Sequence, residues 1–190
     1  MLDLNAIQIY LLDINPTMCE AWNKYFSDIK NVNIVNDEFK IFVSNNNIQS
    51  IVSPANSFGI MSGGYDKAII DFFGKALMED VQEYIISNYF GEQPVGTAFT
   101  IQIPNYQKYL IHCPTMRTPE IIRDPRTVYS CMRSTLIECM KNDIKSVVIP
   151  AFGGCTGNVG YESIAYLMRK AYNQLDLIPE NLNWNSVVRL

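Results

Sequence analysis

Asn56 and Asp66 are the side chains best placed by type and spacing to do chemistry. They stand ten residues apart, at the two ends of a loop rich in Ser, Gly and Asn. Ile51 and Val52 precede the loop and read as the end of a buried strand; Lys67-Ala68-Ile69-Ile70 follows and opens a helix. Strand, glycine loop and helix together present backbone N–H groups and a helix N-terminus to an anion. A carboxylate in the first turn of a helix gains about 0.3–1 kcal/mol from the helix dipole, which alone accounts for an acid at position 66. The sharper reading of Asp66 is a carboxylate that orients or deprotonates a water for attack on a sugar carbon. Asn56 is either a turn or cap residue, the commoner fate of asparagine, or an amide that donates to and accepts from a sugar diol.

A second glycine loop, Phe152-Gly153-Gly154-Cys155-Thr156-Gly157-Asn158, follows the apolar run Ser146-Val147-Val148-Ile149. Neither loop fits GxGxxG with its trailing acid, nor GxxxxGK[ST], so dinucleotide and P-loop enzymes are weak readings. Two such loops on one sheet edge favour a diphosphate-bearing ligand over a pair of tight turns. Arg117 lies between Pro114 and Pro119 in a stiff loop, set either to meet a phosphate bidentately or to face solvent. Cys155 sits among glycines whose N–H groups favour a thiolate, but no base stands near it in sequence, so a catalytic thiol is the lesser reading. His112 is the sole histidine, which argues for a buried, hydrogen-bonded ring rather than a metal ligand. Asp13 ends the first strand and is read as capping the helix at Asn15-Pro16 rather than as a ribose acid. Asp37 and Glu38 are a separate acidic pair, either solvated turn residues or a partner for an adenine amino group.

Strands and helices that position these residues alternate along the whole chain. Ile7–Leu12 reads as a buried strand, and Asn15-Pro16 as a cap with proline at the first helical position. Cys19, Trp22 and Phe26 form one apolar stripe. Val32–Val35 and Phe39–Val43 read as two short strands, and Ile48–Ser53 as the strand feeding the first loop. Helix is predicted from Tyr65 to about Asn88 with a break near Gly74. Thr97–Ile103 and Tyr109–His112 read as a tightly joined, antiparallel-capable pair. Asp124-Pro125 starts another helix, and a last helix runs from about Tyr161 to Leu175. The tail after Pro179 carries little pattern, with Trp184 expected to pack back on the body. The expected fold is α/β, with helices on both faces of a mixed, largely parallel sheet, and ligands outside the carboxyl ends of its strands.

The 190 residues suffice for one domain with a real core. The net charge of −4 and absence of a basic face argue against bulk nucleic-acid binding. Five scattered cysteines without a CxxC pair suggest reduced thiols, and with no signal-peptide pattern or membrane-length apolar run the expected location is cytoplasmic. No cofactor or metal is expected, and a monomer is the expected state.

Val52-Ser53-Pro54-Ala55-Asn56 and Gly63-Gly64-Tyr65-Asp66-Lys67-Ala68-Ile69 resemble the macro domain family of ADP-ribose-binding modules, whose pattern is an Asn-bearing turn, a glycine run and Val-Asp-Gly-Ala-Ile. The ten-residue step from Asn56 to Asp66 is that of the hydrolytic members. SPANSFG, the later PTMR and the IPAFG-x-x-TG loop look like the branch near the ADP-ribose 1″-phosphate phosphatases. The resemblance covers roughly residues 5 to 175 and implies a three-layer α/β/α sandwich with ADP-ribose in a cleft on the sheet edge. It implies that Asn56 contacts the distal ribose and Asp66 places or activates the attacking water. Gly63, Gly64 and Gly153, Gly154, Cys155, Thr156, Gly157 and Asn158 would wrap the pyrophosphate, and Asp37 or Glu38 would face the adenine, with Asp13 competing for that role. Ser53, Ala55, Ser57, Tyr65, Phe152 and Arg117 complete the expected ligand contacts. Ser53 stands where many members carry a first Asn. The expected function is hydrolysis of an ADP-ribose conjugate (a 1″-phosphate, an O-acyl ester, or mono-ADP-ribose on protein or nucleic acid). A non-catalytic ADP-ribose reader is the alternative, and a Rossmann-type enzyme using Asp13 a distant third.

Overall fold

The computed structural model describes residues 3–187. A 3-10 turn at Leu4–Ala6 precedes β1 (Gln8–Asp13), α1 (Pro16–Phe26), β2 (Val32–Asn36), α2 (Phe39–Asn45) and β3 (Ser50–Ser53). The chain continues through α3 (Gly64–Phe73), α4 (Ala76–Tyr89), the hairpin strands β4 (Phe99–Gln102) and β5 (Tyr109–His112), and α5 (Arg126–Lys141). It ends with β6 (Ser146–Ile149), α6 (Tyr161–Asp176) and the single turn α7 (Trp184–Val187). The six strands form one sheet in the order β2-β1-β6-β3-β5-β4. All neighbours are parallel except β4 and β5, which pair antiparallel from Phe99↔His112 to Gln102↔Tyr109. The mixed, largely parallel sheet is the one expected.

Parallel strands covered on both faces are apolar on both faces, and the side chains here divide accordingly. Ile9 and Leu11 of β1, Val52 of β3, Ile111 of β5 and Val147 and Ile149 of β6 enter one core with α1, α5 and α6. Leu12, Ile51, Leu110 and Val148, at the alternate positions, enter the other with α2, α3 and α4. Burying side chains of this size contributes about 1.5–3 kcal/mol each, so a one-residue slip of any central strand would exchange the two cores.

Local chemistry sets the helix starts. The Asn15 side chain accepts from Thr17 N and Pro16 opens α1, as anticipated. The Asp124 carboxylate accepts from Arg126 N at 3.0 Å where α5 begins. The helical stretch after Tyr65 does break at Gly74, whose φ of 99° separates α3 from α4. Two expectations fail. Phe39–Val43 is not a strand but the first turn and more of α2. Phe39, Phe42 and Val43 fall three and four apart and all enter the core, whereas Ile41, which a strand would place on the same face as Phe39, is 47% exposed. Trp184 does not pack on the body; it is 83% exposed in α7. Among the described residues no helix is long and apolar enough to cross a membrane.

Candidate functional site

β6 lies between β1 and β3 in the sheet, so the loops that leave the carboxyl ends of these three strands stand side by side. Together with the loop after β5 they enclose a cleft of about 640 Å³, a volume suited to a small-molecule ligand. This is the strand-end crevice of an open α/β sheet.

The loop after β3 forms one wall. Asn56 is buried, and its amide is engaged by its own loop: Oδ1 accepts from Phe58 N at 3.1 Å and Ile60 N at 3.3 Å, while Nδ2 donates to Ile60 O at 2.8 Å. The turn reading of Asn56 therefore holds, and both lone pairs of its oxygen are occupied. Asn56 still lines the cleft, and its second N–H is the part left for a ligand. The loop after β5 is zipped alongside: Thr115 N donates to Ala55 O, and Ser57 N to Met116 O and Arg117 O. Gly63 caps α3 without a side-chain bond, so the N–H groups of the first turn open at the cleft where Gly63, Gly64 and Tyr65 line it.

Asp66 is the acid of this wall. Burial raises its carboxyl from the ordinary 3.8 to about 7, against the lowering effect of a hydrogen bond from Ser53. Ser53, fully buried at the end of β3, donates from Oγ to Asp66 Oδ1 at 2.6 Å. The serine is thus a support behind the carboxylate rather than a cleft-lining residue. A desolvated carboxyl held in one orientation and half ionised near neutrality is suited to proton transfer.

The loop after β6 forms the facing wall. Gly153 takes φ +76°, and its carbonyl accepts from Val159 N at 3.1 Å. At Gly157 a Cβ would stand 2.8 Å from the Gly153 oxygen and 2.6 Å from Ile122 Cδ1. Only glycine fits that crossing of two backbones. The folded loop leaves the N–H groups of Cys155, Thr156 and Gly157 without an acceptor among the described residues. Gly153, Gly154, Cys155, Thr156 and Gly157 all line the cleft. Phe152 is buried in the core beneath them, and Asn158, at φ 52°, donates its N–H to Cys155 O to close the turn.

The far end belongs to β1. Asp13 lines the cleft, with Oδ1 accepting from Asn15 N at 2.8 Å; burial raises its carboxyl above the ordinary value. The cap of α1 is Asn15 itself, which also donates from Nδ2 to the Tyr161 hydroxyl at 2.8 Å. The other acidic candidates lie elsewhere. Asp37 accepts from Glu38 N at 2.8 Å and Glu38 is the N-cap of α2, so this pair starts a helix and does not line the cleft. Arg117 is likewise outside it. Its guanidinium meets Glu92 twice, at 2.7 and 2.9 Å, and lies over the Phe58 ring. Ser57 is buried, and its carbonyl accepts from Gln93 N.

His112 is buried, with Nδ1 2.6 Å from Gln93 Oε1, and desolvation lowers its pKa to about 3; it is a neutral core ring, as expected. No group of three or more His, Cys, Asp or Glu side chains among the described residues is arranged to hold a metal ion. Sequence reasoning did not single out Ile14, Ile60 or Tyr161, and named Thr115 and Met116 only within the PTMR stretch; all five also line the cleft. Ile14 adjoins Asp13, which was singled out, and Ile60 lies within the loop between Asn56 and Asp66; Tyr161 joins the cleft only through the fold.

A family model described as Macro domain matches residues 52–168. An uncharacterized protein of Aquifex aeolicus (strain VF5) is 32% identical over 119 residues, 62% of this chain and 68% of that one. Among solved structures, the macrodomain of Mycobacterium tuberculosis DarG matches with a TM-score of 0.59 at 17% identity, over 69% of this chain and 85% of that one. A mutant Oceanobacillus iheyensis macrodomain with ADPR gives 0.59 at 18%, over 69% and 73%. The Trypanosoma brucei macrodomain in complex with ADP gives 0.54 at 20%, over 66% and 50%. At such identities these likenesses establish the fold. The match of the family model over more than half the sequence goes further: this chain belongs to the macro domain family.

Proposed function

We propose that the cleft binds the ADP-ribose part of a conjugate and hydrolyses the bond at its distal end, with Asp66 as the base that activates water. One observation carries the reading: a carboxyl raised to about 7, fixed through one oxygen by Ser53, on the wall of a cleft flanked by two sets of open backbone N–H groups. The N–H groups suit a diphosphate, and solved macrodomains with ADPR or ADP support that ligand class. Asp13 lines the cleft and Asp37 and Glu38 do not, which supports Asp13 as the acid that would accept from the adenine amino group. In the reaction, Asp66 takes a proton from water, the hydroxide joins the scissile centre, and the leaving oxygen takes the proton.

The test is a product assay across ADP-ribose-1″-phosphate, O-acetyl-ADP-ribose and mono-ADP-ribosylated protein. Asp66→Ala should keep ADP-ribose affinity within about threefold and lose at least about a hundredfold in kcat on the favoured substrate. Full turnover by Asp66→Ala sinks the catalytic role. ADP-ribose binding without product from any conjugate would instead establish a reader, the reading that the engagement of Asn56 by its own loop favours.

A further inference from the structure

Ser53 ends β3 fully buried, and the sheet fixes its backbone there, its carbonyl accepting from Cys113 N at 2.9 Å. A hydroxyl sealed in this way needs a partner, and Oγ has one in the Asp66 carboxylate at 2.6 Å. That length falls in the range of about 2.5–2.7 Å found when a hydroxyl donates to an ionised oxygen. The bond turns Oδ1 of Asp66 back towards the sheet. Asp66 is only partly buried and lines the cleft. Its Oδ2, which bonds to no other residue among those described, is the oxygen left for water.

Little else in the fold favours the charge on Asp66. Among the described residues that line the cleft there is no Lys, Arg or His. Lys67, next on α3, is exposed and pairs with Asp71. The Tyr65 phenol, before it, is kept protonated by burial. From β5, His112 stands in register with Ser53 and is neutral, burial lowering its pKa to about 3. From α2, packed on α3, come Glu38 and Lys40, both exposed, and from β1 comes the acid Asp13. Helix α4 carries Glu79, Asp80 and Glu83 outside its buried stripe of Leu77, Val81 and Ile85. Burial, the Ser53 bond and its own backbone N–H set the Asp66 carboxyl, not these charges. The dipole of α3 favours an acid in its first turn without choosing between the two oxygens. Ser53 alone both selects an orientation and favours the ionised form.

We propose that Ser53 is a positioning residue for the hydrolysis: its hydroxyl pins Asp66 through Oδ1, presents Oδ2 to the attacking water, and sets the pH at which the carboxyl becomes available as a base. This rests on the reading of Asp66 as the base and adds what makes it one. The hydroxyl has a single proton to give, and that proton is best matched by a carboxylate. When Asp66 takes a proton from water the bond weakens. It is regained as the leaving oxygen collects that proton, so the serine returns the carboxyl to its charged state. Ser53→Ala would leave a desolvated carboxyl with no side-chain donor, harder to ionise and free to turn.

The experiment titrates the Asp66 carboxyl directly, by carbon-13 NMR of the aspartate-labelled full chain, with Asp66→Asn assigning the signal. Beside it stands the pH profile of kcat on the favoured conjugate. In Ser53→Ala the midpoint and the acid limb of the profile should both move up by about one pH unit. Turnover at about pH 7 should then drop about fivefold or more and partly recover by about pH 9. Ser53→Cys, close in size but a weak donor, should behave like Ser53→Ala. Ser53→Thr, which keeps the hydroxyl, should restore both midpoint and profile. ADP-ribose affinity should stay within about threefold throughout. A merely structural serine would lower the melting temperature and scale kcat equally at every pH, with the midpoint unmoved. That result overturns the assignment while hydrolysis by Asp66 stands. Wild type that turns over no conjugate overturns the hydrolytic reading instead, and the positioning role with it.

Discussion

At Asp66 the same burial that suits proton transfer opposes folding. The unfolded chain holds this carboxyl at its ordinary value of 3.8, the folded chain at about 7. Between those values the folded state retains a proton the unfolded state has released. Stability therefore falls as pH rises through the window and levels off above it. Asp66→Asn keeps an oxygen to accept from Ser53 and removes the charge. It should melt higher than wild type at about pH 8, on the order of 1–2 kcal/mol after allowing for partial exposure, or a few degrees. The gap should close towards pH 4, and calorimetric melts at both pH values check it. A gap of equal size at both would mean that charge burial is not the cause. Asp66 was legible because a glycine loop and a helix start announce where an acid can point. Its dependence on Ser53 was not: residue type alone does not say that a serine thirteen positions earlier ends a strand directly behind it.

The loop between β6 and α6 acts as a unit because two of its glycines touch. Gly157→Ala would place a methyl group 2.8 Å from the Gly153 oxygen and 3.0 Å from its Cα, and backbone cannot swing aside as a side-chain tip can. The loop would have to open, and with it the bond from Ile122 N to Gly157 O at 2.9 Å. A loss of about 1–3 kcal/mol in stability is expected, with a larger proportional loss of ADP-ribose affinity, measured by urea titration and calorimetry. Gly160→Ala, where nothing lies within 4 Å of the added carbon, is the control and should change little. Elements with strong punctuation were readable in advance: Asn15-Pro16, Asp124-Pro125 and Gly74 each mark a real boundary. Phe39–Val43 was misread because four of its five residues are bulky apolar or aromatic ones that suit a strand by type. Its partners decide otherwise, since Phe39, Phe42 and Val43 meet the core together only on a helix.

Across the whole molecule, sheet order explains why distant segments meet. β6 comes last among the strands but lies between β1 and β3, so the loop after residue 149 stands between loops after residues 13 and 53. Nothing in the local sequence of any one loop carries that information, which is why Asp13 could be named from its place at a strand end but not chosen over Asp37 and Glu38. Those two acids look equivalent to Asp13 on paper; in the fold they begin α2.

The cysteines give this architecture a practical handle. Cys19, Cys113, Cys131 and Cys139 are buried and Cys155 is exposed, on the wall of the cleft itself. An alkylating reagent added to the native protein should therefore stop at a single adduct, read as one mass increment, while denatured chain takes up five. Saturating ADP-ribose should slow that one reaction at least about tenfold by covering the sulfur. Unchanged labelling kinetics would put the ligand somewhere other than between the two glycine loops. The protein thus carries its own footprinting reporter, able to time the filling and emptying of the cleft before any substrate is known.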